Sequence, residues 1–300
     1  MREPIEFDKL SGSGNDFVCI DNRDGAYDGL LSSAPDVGRF AAALCHRGLG
    51  VGADGVIFAV RPSDSRAADV AVRFFEPDGS EVELCGNGTA CFARWVVDSG
   101  WVACGTVHIE TPSGIAHGHM EADGYVRACI PHPHSIETDI AVTTGERSWT
   151  MDFAVTGVPH AVVFVDDVDA LDVVRWGRAI RHHERFGPRG VNVNFTQVLG
   201  VGQLAVRTFE FGVEDETLAC GTGCATAALL SVRRFGWPQT YLTEVAPIEV
   251  RVHSGDTLRL HFLVREDETV ERACLETVVR PLYHGTLGPA LLARALGTDE

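Results

Sequence analysis

The sequence predicts an α/β protein made of two copies of one mixed α+β domain, and three observations carry the prediction. RFFEPDGSEVELCGNGTACFARWVV (73–97) resembles RTFEFGVEDETLACGTGCATAALLSV (207–232), with Phe75, Glu76, Glu81 and Cys85 answered by Phe209, Glu210, Glu216 and Cys220. DVGRFAAALCH (36–46) is answered at nearly the same spacing by DVVRWGRAIRH (172–182). Both halves also alternate strand-like and helix-like hydrophobic patterns. Two independent blocks at almost one offset mean duplication, into domains of residues 1–125 and 126–277.

In the first half, alternation or short apolar runs mark strands at DFVCIDN (16–22), GVIFAV (55–60), DVAVRFF (69–75), TVHIET (106–111) and YVRACI (125–130). The second half repeats this at WTMDFAV (149–155), AVVFVDD (161–167), NVNFTQV (192–198), QLAVRTF (203–209), IEVRVH (248–253) and LRLHFLV (258–264). Amphipathic helices fit 35–47 and 171–185. A second helix in each copy begins after Cys-Gly-x-Gly, as TACFARWVV or CATAALLSV. It is apolar almost all round, which predicts a helix at the centre of a curled sheet. Residues 125–140, with Pro131 and Pro133, read as the crossover, and residues 288–300 as a loose tail.

Composition removes several functions. With 300 residues, 45% of them hydrophobic, the chain can bury a large core. A formal charge of −17 would repel nucleic acid and anionic membranes. MREPIEFDKL lacks the apolar stretch of a signal peptide and no run is long enough to span a bilayer, so a cytoplasmic protein is expected. In that compartment the nine cysteines are expected as reduced thiols. Lys9 is the only lysine, which leaves pyridoxal phosphate and Walker-type loops almost nothing to use. No cofactor and no metal are expected.

The chemistry concentrates at the repeated cysteines. Cys85 and Cys220 each stand at the start of an apolar helix, followed by Gly-x-Gly. The free N–H groups of a first helical turn favour a thiolate, and glycines let a carboxylate approach them. Two such sites on duplicated domains could face each other around one anion. That suits inversion of an amino acid at Cα: one thiolate removes the proton, the opposite thiol returns one, and the helix ends stabilise the developing enediolate.

At these residues the chain resembles the diaminopimelate epimerase family of pyridoxal-phosphate-independent racemases and epimerases. SGSGNDFVCIDNR (11–23), GLGVGADGVI (48–57), FEPDGSEVELCGNG (75–88), TGVPH (156–160), GVNVNF (190–195) and FGVEDETLACGTG (211–223) carry the likeness, through both halves to about residue 287. The resemblance implies two pseudo-symmetric domains, each a curled sheet around a helix, with VVRPLYHGTL (278–287) returning to the first. It implies catalytic roles for Cys85 and Cys220, assisted by His160 and Glu210. Substrate contacts would come from Asn15, Gly86, Asn87, Asn192, Gly221 and Thr222.

Three positions depart from the family pattern. Glu76 stands where an asparagine is usual, Phe211 where an arginine follows the glutamate, and Ala90 where CGNGxRC has an arginine. Losing a guanidinium removes a two-point carboxylate partner. The expected substrate is therefore a small-molecule amino acid with a basic or aromatic side chain, such as histidine or arginine, using Glu76 as counter-ion and Phe211 for cation–π contact. Diaminopimelate epimerase itself, interconverting the LL and meso forms in lysine and cell-wall precursor synthesis, is the alternative. It needs other residues to replace the missing asparagine and arginine. Monomer and homodimer both stay open.

Plainer readings compete at each position. Cys19, Cys45, Cys104, Cys129 and Cys274 read as buried small hydrophobes, and Cys91 and Cys224 as helix packing. Cys220-x3-Cys224 lacks zinc-knuckle spacing. GVGADG (50–55) satisfies a dinucleotide fingerprint but joins a helix to a strand, the inverse of the required order. His132, His134, His182 and His183 read as surface or linker residues, and Asp166 and Asp167 as a solvated strand end. Glu81 and Glu216 read as structural. A cysteine-free proton-shifting isomerase is disfavoured by the paired cysteines, and a thiol-redox protein by the lack of C-x-x-C.

Overall fold

The computed structural model describes residues 4–83, 86–103, 105–145 and 147–298. Cys85 and Cys104 lie outside the described residues. The chain divides into two units: residues up to Ala128 together with those from Val278 onward, and Cys129–Thr277.

In the first unit the strands are β1 (Glu6–Gly12), β2 (Asn15–Asp21), β3 (Gly55–Val60), β4 (Val70–Phe75), β5 (Glu81–Val82), β6 (Thr106–Thr111), β7 (Gly114–Met120) and β8 (Tyr125–Ile130). Its helices are α1 (Asp28–Leu31), α2 (Ala34–Cys45) and α3 (Gly86–Asp98). Pairing runs β1–β2–β3–β4–β6–β7–β8, with β2 and β3 parallel, as are β4 and β6, across the helix-bearing connections. Helix α3 touches β1 and β2 near one end of this run and β6 and β7 near the other, so the sheet curls around it. From Gly86 to Ala93 the helix is buried on every side, which matches its unbroken apolar and small-residue sequence. A Cβ on Gly118 of β7 would stand 2.2 Å from Ala93 Cβ, so only glycine lets the strand lie this close to the helix.

The second unit holds β9 (His134–Thr144), β10 (Arg147–Thr156), β11 (Val158–Phe164), β12 (Asn192–Gly200), β13 (Gln203–Glu210), β14 (Asp215–Thr217), β15 (Ile248–Arg251), β16 (Thr257–Val264) and the first half of β17 (Val270–Thr286). Its helices are α4 (Val173–Arg181) and α5 (Gly221–Phe235). Pairing runs β9–β10–β11–β12–β13–β15–β16–β17, with β11 and β12 parallel, and so β13 and β15. Helix α5 contacts β10, β11, β12, β13, β15 and β16, and Cys224 to Val232 are all buried. Burying one large side chain such as Leu229 stabilises by about 1.5–3 kcal/mol, so this helix organises the core. After pairing with β16, β17 continues into the first unit and pairs with β1 from Val279.

Four expectations need correcting. The helices begin at Gly86 and Gly221, so the glycines form the first turn and do not precede it. Residues 125–140 are mostly strand, in β8 and β9. The expected tail folds into a helix, α6 (Pro289–Leu296), packed on α2 with Leu287 and Ala295 buried; Arg294 Nη2 donates to the Ala43 carbonyl at 3.4 Å. Finally, Cys129 and Cys274 are joined in a disulfide and are not free thiols, because β8 and β17 bring their Cα atoms within 3.9 Å. Cys19, Cys45, Cys220 and Cys224 are free thiols, buried like Cys91.

Candidate active site

In the second unit, strand register places several predicted residues side by side. His160 on β11 pairs with Asn192 on β12, so the two side chains lie next to each other. Asn192 Oδ1 accepts from the Phe211 backbone N–H at 2.9 Å, which ties the segment after Glu210 to this strand. Thr217 Oγ1 donates to Glu210 Oε1 at 2.7 Å.

Cys220 is the N-cap of α5, with extended φ and ψ, and is 8% exposed. Its Sγ lies 3.6 Å from Thr222 Oγ1. A helix N-terminus was expected to favour the thiolate. Burial outweighs it: desolvation pushes the Cys220 thiol well above its ordinary value, and the charges of Glu210 and neighbouring Cys224 add to this. The Gly223 N–H and Thr222 hydroxyl oppose the shift without overcoming it. The resting group is a thiol.

His160 is fully buried, and desolvation pushes it down to about 3, against a smaller upward pull from the Thr156 backbone carbonyl. Its imidazole is neutral at physiological pH. Nδ1 lies 3.2 Å from Asn194 Nδ2, and Nε2 has no hydrogen-bond partner within 3.5 Å. Asn194 and its partner Thr208 were not anticipated from the sequence. The signal was present in GVNVNF, where Asn194 follows Asn192 on the same strand face.

In the first unit, Asn87 lies in the first turn of α3, and its Nδ2 donates to Asn15 Oδ1 at 2.7 Å. Asn87 Oδ1 is buried without a partner, an acceptor left for a ligand. Asn15 Nδ2 reaches Asp54 Oδ2 at 3.5 Å, and the Asp16 N–H donates to the same oxygen at 3.0 Å. Arg47 Nη2 bridges Asp16 and Asp54 at 2.8 and 2.7 Å, and Lys9 Nζ lies 2.9 Å from Asp16 Oδ2. Burial would raise Asp16, yet Arg47 and Lys9 hold it below the usual carboxylate value; Asp54 is pushed up by desolvation and by Asp16. The one lysine is thus a buried counter-ion of Asp16, the residue after Asn15. Gly86 opens α3, and Glu76 sits in the exposed turn between β4 and β5. Its carboxyl is raised, first by desolvation and then by Asp78.

Phe211 does not present a free ring. The guanidinium carbons of Arg181 and Arg189 each stand 5.4 Å from its centroid. Arg181 is also held by Glu214 at 2.9 Å and donates to the Arg189 carbonyl at 3.1 Å.

The family model for diaminopimelate epimerase matches residues 7–129 and 153–257. The chain belongs to the diaminopimelate epimerase family. It is 38% identical to a diaminopimelate epimerase of Aquifex aeolicus over 96% of this chain and 99% of that one. It is 41% identical to one of Archaeoglobus fulgidus, over 76% of this chain and 82% of the relative. Among solved structures, a probable proline racemase from Agrobacterium radiobacter K84 superposes with TM-score 0.69, at 16% identity over 95% and 93% of the two chains, a likeness of fold. Membership in this family makes the protein an isomerase of the racemase and epimerase class. Among the described residues no helix is long and apolar enough to cross a membrane.

Proposed function

We propose that this enzyme is a diaminopimelate epimerase, interconverting the LL and meso forms by thiol–thiolate exchange at Cα. The supporting observation is Arg189. Its guanidinium flanks Phe211, the position where the family's arginine is missing, and it has no carboxylate partner among the described residues. A cation is restored beside the substituted position from the segment preceding β12. The near full-length identity to enzymes named diaminopimelate epimerase supports the same reading.

Each repeat supplies one acid–base group. The base cysteine, as thiolate, takes the Cα proton and becomes a thiol. The other, as thiol, delivers its proton to the opposite face and becomes a thiolate, so the reverse reaction runs with roles exchanged. Cys220, a thiol at rest, is the donor in one direction, and Cys85 is the base. First-turn N–H groups at Gly86, Asn87, Gly221 and Thr222 hold the α-carboxylate and take up enediolate charge. Asn15, Asn87 and Asn192 orient the substrate. Glu210 and His160 assist proton transfer, and Arg189 holds the distal carboxylate.

A basic-amino-acid racemase is the second reading, favoured by the Glu76 carboxylate, which has no cationic partner among the described residues. Steady-state kinetics on LL-diaminopimelate separate the two. Arg189→Ala is expected to raise KM about tenfold or more with a smaller change in kcat, the loss of a charged hydrogen-bond partner. A wild-type enzyme that racemises histidine or arginine but leaves diaminopimelate untouched overturns the proposal.

A further inference from the structure

We propose that Asn194 is a positioning residue that fixes His160 as the neutral tautomer with its proton on Nε2, making His160 a hydrogen-bond donor and not a base. The inference rests on the reading of His160 as part of the active site.

The argument begins with the amide. Asn194 Nδ2 lies 3.1 Å from the Ala161 carbonyl oxygen, which can only accept, so this end of the side chain must be the NH2 group. The opposite end, Oδ1, accepts from Thr208 Oγ1 at 3.0 Å. Flipping the amide would set oxygen against the Ala161 oxygen, so the orientation is determined. The second hydrogen of Nδ2 then points to His160 Nδ1 at 3.2 Å. A nitrogen receiving that hydrogen must carry a lone pair, which leaves the single ring proton on Nε2.

Burial makes the assignment rigid. Asn194 and His160 are fully buried and Thr208 is 3% exposed, so water does not compete for these bonds. Strand pairing sets the parts in place, since Asn194 lies opposite Thr208 on β13 while His160 lies beside Asn192. Nε2 makes no hydrogen bond within 3.5 Å, so its proton stays available to a ligand oxygen.

The same amide abuts the helix that Cys220, the candidate acid–base thiol, caps. A Cβ on Gly223 would stand 2.1 Å from Asn194 Oδ1 and 3.3 Å from Cys220 Sγ. The last glycine of Cys-Gly-Thr-Gly is therefore there to admit Asn194, and the Cys220 sulfur borders the same spot. The motif and the histidine are linked through one amide.

Long-range 15N–1H NMR of the histidine-labelled enzyme tests this, with the His160 signals assigned by their loss in His160→Gln. The wild type is expected to show a proton-bearing Nε2 and an unprotonated Nδ1 across pH 6 to 9. In Asn194→Asp, whose carboxylate can only accept, the proton is expected to move to Nδ1, and kcat to fall about tenfold or more with a smaller change in KM. A wild-type spectrum with the proton on Nδ1, or with an imidazolium, overturns the proposal, whatever the variant does. So does an Asn194→Asp enzyme that folds and keeps both the wild-type tautomer and turnover. A His160→Gln enzyme with full turnover would instead overturn the placement of His160 in the active site, and is distinguishable because the tautomer is read without activity.

Discussion

Arg207 and Glu216 meet in a two-point ion pair, Nε to Oε1 at 2.6 Å and Nη2 to Oε2 at 2.7 Å. Arg73 and Glu81 meet the same way in the first unit, both contacts at 2.6 Å. Each arginine also donates to carbonyls ahead of a helix: Leu31 before α2, and Val168 and Leu171 before α4. The glutamates repeated before the two cysteines thus clamp the loop to its strand. Glu216→Ala should cost about 1–3 kcal/mol, because Arg207 and Glu216 are only 16% and 11% exposed. Glu81→Ala should cost less, its pair being 28% and 39% exposed. Urea unfolding of both variants measures this, and equal losses would contradict the account.

The resting state of Cys220 predicts a pH dependence. Burial keeps it a thiol, so iodoacetamide should modify it slowly at pH 7 in ligand-free enzyme and faster at strongly alkaline pH. Its folded value lies above the unfolded one, so the unfolded chain loses its proton first. The thiol's contribution to stability is full below about pH 9 and is lost as pH climbs toward the folded value. Rapid labelling at pH 7, located to Cys220 by mass spectrometry, would show a resting thiolate.

Removing either thiol should stop inversion. Cys85→Ala and Cys220→Ala are each expected to lower epimerisation by about a hundredfold or more, the usual size of a lost acid–base group. Full epimerisation by either variant would refute the two-thiol mechanism.

Gly223→Ala probes the approach of α5 to Asn194. The added methyl would overlap Asn194 Oδ1, so loss of about 1–3 kcal/mol is expected together with loss of turnover. Gly221→Ala changes the same helical turn and serves as the comparison. A Gly223→Ala enzyme as stable and active as wild type would show that the amide can move aside.

Much of this was legible in the sequence, for physical reasons. Period-two alternation or short apolar runs located β2, β3, β4, β6 and β8, and longer unbroken apolar runs located α3 and α5, because burial on one face or on all faces leaves those patterns. The two-residue β5 escaped because it is too short to show a period, and β9 because its polar, mostly exposed first half masks the buried face of Val142 and Thr144. Helix α6 escaped because its stripe of Leu291, Leu292 and Ala295 is short and flanked by glycines. The disulfide depended on pairing between strands 145 residues apart. At the site, Asn192 and His160 were marked by their motifs. Asn194, Thr208 and Arg189 were hidden because their meaning lies in strand register and loop packing.

The most direct test is Cα proton exchange in D2O, followed by 1H NMR, with LL- and meso-diaminopimelate and with L-histidine and L-arginine. The account predicts loss of the Cα signal for both forms of diaminopimelate and none for the two basic amino acids. Exchange with histidine or arginine, and none with diaminopimelate, would contradict it: the thiol chemistry would stand, and Arg189 would not be the distal carboxylate's partner.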